Sequence, residues 1–331
     1  MGSEEVILEK YIRVLKKLNR ASHKTMGKAP HKPILLLSVL QLIQKGDIQT
    51  NKIYITAELV IAFKSNWNRL VNTNHTPNFA LPFFHLNSEP FWRLVFFNGM
   101  SNGQERIKSI GSFKSLKNNI AFAEIDRDLF NLLLNPVARA VIENTLLDNY
   151  FSLTKGNYKS DGASGKYDIE RTIEDQILND TKEEYQSLMN DNFHRLSEDE
   201  IEEERFIRGS IFKREIPKIY QNQCCISGMR IESSTNAQMI DACHIIPFSS
   251  SNDDTVSNGI SLSPNLHRAY DRGLITINED YIVRISPTIK ENDSPFSISQ
   301  FAGRRIILPI NNKDYPSPEN LIWHKKEVFL F

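Results

Sequence analysis

The sequence predicts an α+β chain in three parts: a mixed α/β domain over residues 1–155, an acidic and partly helical linker over 156–204, and a smaller domain over 205–331 built as strand, loop, strand and helix. Three observations predict it. Apolar residues recur at helical spacing through most of the first 150 positions, interrupted by an aromatic block with strand character. A Gly-, Ser- and Lys-rich stretch without apolar periodicity follows. The segment from Asp241 to Ile277 then passes from strand patterning to a capped helix and back.

The opening MGSEEVILEKYIRVLKKL is an amphipathic helix pattern with both signs of charge and no apolar signal core. Residues 33–45, PILLLSVLQLIQK, read as a buried helix, with Pro33 in its first turn and Gly46 as its stop. KIYI at 52–55 is a short strand. Thr56 can cap the next helix, in which Leu59, Val60, Phe63, Trp67 and Leu70 share a face. The aromatic block PFFHLNSEPFWRLVFF, 82–97, reads as two strands joined by a turn at Pro90. Helix returns over 126–150. KGNYKSDGASGKYD, 155–168, is linker-like, and the acidic stretch after it ends in EDEIEEER. RGSIFKREIPKIYQNQ is then a helix leading into CCISG.

Lys and Arg balance Asp and Glu at 40 each, but unevenly. Residues 1–155 carry 20 basic against 12 acidic side chains, 156–205 carry 6 against 15, and 206–331 carry 14 against 13. A basic first domain points to a polyanionic partner; a merely solvated surface is the alternative. No run approaches the roughly 18 apolar residues of a membrane span, so no membrane partner is expected. Three cysteines, two of them adjacent, make no disulfide framework, and a cytoplasmic location is expected.

The chemistry-bearing segment is DACHIIPFSSSNDDTVSNGISLSPNLHRAYDRGLITI, 241–277. Ser263 and Pro264 open its helix and Gly273 closes it. His244, at the first strand's end, suits a general base for activating water. Asn258 can accept the other ring N–H through its side chain or its backbone carbonyl. His267 and Asp271 are four apart on the helix, so they share a face and can chelate one divalent cation, Mg²⁺, Mn²⁺ or another transition ion. The three side chains His244, His267 and Asp271 are expected to converge on that ion. Asp241, three residues before His244, faces the opposite side of the strand. Cys243 is a poor partner for Mg²⁺ and is expected to pack beside the site, leaving the third ligand open. Cys224 and Cys225 are expected in the core rather than on zinc.

The blocks A-C-H-I-I-P, N-G-I-S-L and L-H-R-A-Y-D-R-G-L-I resemble the HNH endonuclease family, in the branch common among modification-dependent restriction enzymes. FIRGSIFKREIPKIYQNQCCISG resembles that branch's entry helix and Cys-x-x-x-Gly turn, and ILPI with LIWHKKEVF its closing segment. The resemblance spans 205–331 and implies a ββα-metal nuclease domain. In it His244 is the base, Asn258 orients it, His267 is catalytic and metal-side, and Asp271 is metal-side. Many relatives place an Asp or His ligand where this chain has Cys243.

GKAPHKPILLLSVLQLIQKGDI, NKIYITAELVIAFKSNWNRLV and LPFFHLNSEPFWRLV resemble the sulfur-binding domain of phosphorothioation-dependent restriction endonucleases, over about residues 5–150. That resemblance implies double-stranded DNA as partner, modified by sulfur in place of a phosphate oxygen. Sulfur is larger and less strongly hydrated than oxygen, so an apolar dent with a cationic rim should favour it. Ala29 and Pro30 offer the apolar faces, and His31 and Lys32 can hydrogen-bond phosphate. Arg20, Lys24 and Lys28 can grip the backbone, with His85 and Arg93 as further contacts. The expected function is a type IV-like restriction endonuclease. The alternatives are an HNH nuclease directed to another modification or sequence, and a catalytically inactive DNA-binding protein. Cutting both strands with one site per chain takes a homodimer or two encounters.

Overall fold

The computed structural model describes residues 3–97, 110–159, 166–231 and 239–331. It divides into two compact units, one of Met1–Glu170 with Leu196–Ile207, the other of Arg171–Arg195 with Arg208–Phe331. Both mix helices with small antiparallel sheets, the α+β class the sequence predicts.

In the first unit Ile120–Ile125 is the central strand of three, flanked by Lys52–Ile53 and Trp92–Phe96. The helix His31–Lys45 is buried along its whole run from Lys32 to Ile43, as an all-round apolar helix must be. Its buried polar side chains pair internally: the Asn66 amide donates to Ser38 Oγ (3.0 Å) and Gln41 Oε1 (2.9 Å). Gly46 ends it at φ 83°, the left-handed stop glycine supplies at least cost. Thr56 caps Ala57–Leu70 by accepting from the Leu59 amide.

The aromatic block departs from expectation. Only Trp92–Phe96 is a strand; Ala80–His85 is a helix followed by a 3₁₀ turn at Leu86–Ser88. The cause is spacing: Phe79, Phe83 and Leu86, at i, i+4 and i+7, are all fully buried on one stripe. Pro82 lies in the first turn, where its missing N–H costs nothing.

The acidic stretch is ordered rather than merely connecting. Asp168–Asn179, Lys182–Arg195 and Glu198–Ile219 are helices. Within the first unit, Glu203 accepts from the Phe79 amide (3.2 Å) and pairs with Lys64 (3.0 Å), while Asp199 accepts from the Asn78 side chain (3.0 Å) and the Phe113 amide. Carboxylates so placed satisfy helix-start N–H groups that have no intrahelical acceptor. Residues 160–165 of the linker-like segment lie outside the described residues.

In the second unit, Asp241–His244 pairs antiparallel with Gly259–Leu262, followed by the helix Pro264–Asp271 and a second hairpin, Ile275–Ile277 with Val283–Ile285. The helix Pro318–Glu327 closes it, capped by Ser317. Gly259 is tightly packed: a Cβ there would meet Ile216 Cδ1 at 2.5 Å and Phe212 Cε2 at 3.1 Å, so those side chains would have to shift. No helix among the described residues is long and apolar enough to cross a membrane.

Candidate active site

Successive strand residues face opposite ways, and this sorts the site. Asp241 and Cys243 contact the helix Pro264–Asp271. His244, paired with Gly259, turns to the other face and stacks on Phe212, with ring centroids 3.9 Å apart and planes 3° from parallel. The sequence expectation of three converging side chains is therefore corrected. Cys243, His267 and Asp271 come together, and His244 stands beside them on the adjacent residue.

On the helix side, one ligand atom each from Cys243, His267 and Asp271 lies within 4.8 Å of the others. His267 Nδ1 is 3.1 Å from Asp241 Oδ2 and its Nε2 is 3.4 Å from Asp271 Oδ2. Asp241 thus anchors one ring nitrogen and leaves the other in the cluster, the carboxylate–histidine arrangement typical behind a metal ligand. Sulfur, imidazole and carboxylate form a donor set that fits a divalent transition ion. Burial, and after it Asp271, raises the Cys243 thiol well above its usual range; a cation bound there would displace its proton.

On the other face, His244 Nε2 is 2.8 Å from Asp254 Oδ1. Among the described residues nothing is bonded to its Nδ1, and the side chain keeps 22% exposure. Asp254 is almost fully buried. A carboxylate accepting from Nε2–H leaves Nδ1 as a proton acceptor, the state a general base needs.

Asn258 does something other than expected. Its Oδ1 accepts from the Ile246 amide, its Nδ2 donates to the carbonyls of Ile246 and Asp253, and its carbonyl accepts from Ile245. It staples the loop between the two strands, and the hydrogen-bond partner of the His244 ring among the described residues is Asp254 instead. Asp254 was legible only as one of two acids in that loop, and Phe212 only as an apolar residue of the entry helix. Cys224 and Cys225 are buried, as expected of core residues.

The residues expected to read DNA divide in the first unit. Arg20, Lys28 and Pro30 line a cleft of roughly 150 Å³ with Leu70, Val71, Asn72, Thr73 and residues 150–154. Arg20 lies over the Tyr150 ring at 4.5 Å, and burial lowers its pKa. Lys24 is exposed and Ala29 half-buried. Lys32 is turned inward, 2.5 Å from Glu89 and 2.8 Å from Ser88 Oγ, and presents no surface to a phosphate. His31 packs 4.6 Å from the Trp67 ring and meets the Thr76 carbonyl at 3.0 Å. Burial pulls its pKa down to about 4, so it is neutral near pH 7. His85 is exposed overall, and the partial desolvation of its ring and then Lys32 lower its pKa. Arg93 is exposed and paired with Glu124 across the sheet.

Residues 224–278 match the family model described as HNH endonuclease, and that segment is an HNH endonuclease domain. It contains Cys243, His244, Asp254, Asn258, His267 and Asp271. Among solved structures, the modification dependent TagI restriction endonuclease is similar at 18% identity and TM-score 0.28, over 37% of this chain and 39% of that one. The sulfur binding domain and SRA domain of ScoMcrA, complexed with phosphorothioated DNA, is similar at 18% identity and TM-score 0.36, over 47% of this chain and 49% of that one. The type IV phosphorothioation-dependent restriction endonuclease ScoMcrA is similar at 11% identity and TM-score 0.31, over 78% and 94%. The chain spans about two fifths of the first of these and half of the second. No curated protein matches it.

Proposed function

We propose that the chain is a metal-dependent DNA endonuclease acting on modified duplex DNA, with phosphorothioated DNA as its substrate. The observation that carries the enzyme reading is the adjacency of two half-sites on one strand end. Cys243 belongs to a cation-competent cluster, and His244, the next residue, is a partly exposed imidazole with one nitrogen anchored on a buried carboxylate. Consecutive Cα atoms lie about 3.8 Å apart, so both half-sites stand at the same strand end.

In this mechanism His244 Nδ1 takes a proton from the water that attacks the scissile phosphate. Asp254 holds the ring and stabilises the imidazolium that results. Phe212 fixes the ring plane. Cys243, His267 and Asp271 would hold the divalent cation, which supplies positive charge beside the phosphate and the leaving 3′ oxygen. Sulfur among the donors narrows the Mg²⁺ or Mn²⁺ expectation toward Mn²⁺ and other transition ions.

Substrate choice is assigned to the first unit. The cleft of Arg20, Lys28 and Pro30 with Leu70 and Val71 joins cations to apolar walls, as a sulfur-bearing phosphate requires. The resemblance of the A-P-H-K-P segment to sulfur-binding domains supports the same assignment. A homodimer would bring two active sites to one duplex.

Matched plasmids with and without phosphorothioate, incubated with Mn²⁺, test the proposal. Preferential cutting of the modified plasmid is expected. Equal cutting of both ends the sulfur assignment, and no cutting of either with any divalent ion ends the enzyme assignment.

A further inference from the structure

The hydrogen bond that sets the base does not stop at Asp254. Asp254 Oδ2 accepts from the Tyr185 hydroxyl at 3.3 Å, and that hydroxyl accepts from Arg208 Nη1, also at 3.3 Å. Arg208 Nη2 donates to Gln176 Oε1 at 2.9 Å. Arg208, Tyr185 and Asp254 are each 2% exposed or less. Because the hydroxyl oxygen accepts a hydrogen bond from arginine, its own hydrogen points to Asp254, and both carboxylate oxygens are committed.

We infer that Asp254 is the positioning residue that fixes the Nε2–H tautomer of His244, and that Tyr185 and Arg208 hold Asp254 in that role. The inference rests on the nuclease reading above. It places part of the acidic stretch, the helices bearing Gln176 and Tyr185, behind the base of the second unit. The competing orienters are already committed. Both side-chain polar atoms of Asn258 go to the loop backbone, and Asp253 Oδ1 accepts from the Thr255 amide at 2.8 Å.

The chain of bonds makes a specific demand on variants. In Asp254→Asn, the Tyr185 hydrogen holds the amide oxygen, so the NH₂ faces His244 Nε2 and forces the proton to Nδ1. In Asp254→Asn with Tyr185→Phe, that hold is gone and the amide can turn its oxygen to Nε2–H.

The test uses the full chain with ¹⁵N-labelled histidine, reading the His244 tautomer from two-bond ¹H–¹⁵N correlations assigned with His244→Gln. Wild type should show Nε2–H. Asp254→Asn should show Nδ1–H, with kcat for cleavage down by about 10²- to 10⁴-fold and KM unchanged. The double variant should regain Nε2–H in part and cut faster than Asp254→Asn. A merely structural role would make the double variant slower still. An Nδ1–H signal in wild type, or Nε2–H retained in Asp254→Asn, overturns the inference, and the wild-type arm decides even where a variant fails to fold. If wild type cuts no DNA, the nuclease reading fails while the tautomer readout still judges Asp254.

Discussion

Each unit buries a carboxylate against a basic side chain, and the two pairs differ in what they leave over. In the first unit Lys32 meets Glu89 and Ser88, and Glu89 also accepts from the Asn19 amide, so the ion pair ties three segments together and offers nothing to a ligand. In the second unit Asp254 takes one nitrogen of His244 and leaves the other unbonded among the described residues, at a side chain 22% exposed. Both basic residues sit in motifs that invite a functional assignment. Closure of the hydrogen-bonding capacity, rather than residue type, separates the structural pair from the one proposed to be reactive.

The largest expected effect breaks the open pair. His244→Ala should lower the cleavage rate by about 10²- to 10⁴-fold and leave duplex binding in a gel shift unchanged. Wild-type cutting by this variant would remove the base assignment. Breaking the closed pair should act on folding instead. Lys32→Met leaves Glu89 buried without its cation and should cost about 3–5 kcal/mol in denaturant unfolding. The same variant, assayed at a temperature where it is folded, should keep whatever preference wild type has for modified DNA. A selective loss of that preference with stability intact would place Lys32 in the reader after all.

A histidine with both nitrogens engaged sharpens the contrast within the second unit. His324 meets Thr276 Oγ1 at 2.9 Å and the Tyr270 carbonyl at 3.2 Å, and stacks on the Tyr270 ring at 3.6 Å. Burial takes its pKa from 6.5 to about 4. Above pH 6.5 the ring is neutral folded or unfolded. As pH falls below that, the unfolded chain binds the proton first, so the contribution of His324 to stability drops between about pH 6.5 and 4, by about 3 kcal/mol. Unfolding midpoints across that window should fall in wild type, and His324→Asn should flatten the slope. An unchanged slope would show that other groups carry the acid sensitivity.

The hairpin and helix of the second unit were legible because their signals are local: a strand ending at His244, Ser263 and Pro264 at a helix start, Gly273 at its end. His267 and Asp271 share a cluster because four residues make a helical turn. Asp254 was not legible as the partner of His244, since its position depends on a loop that Asn258 staples through backbone groups. Cys243 is a poor match to Mg²⁺, yet strand alternation places it with Asp241 on the helix side. Lys32 reads as a phosphate contact in the sequence because charge is visible there and burial against Glu89, 57 residues away, is not. The helix at Ala80–His85 hid behind aromatic content that also suits strands.

The proposed site divides labour at one strand end, with the cation held on one face and the base standing on the other. Titrating His244→Ala with Co²⁺ and following the sulfur-to-cobalt charge-transfer absorption tests it most directly. A band as strong as that of wild type, absent from Cys243→Ser, is the predicted result. A band that disappears when only the imidazole of His244 is removed would make that ring a ligand and contradict the division.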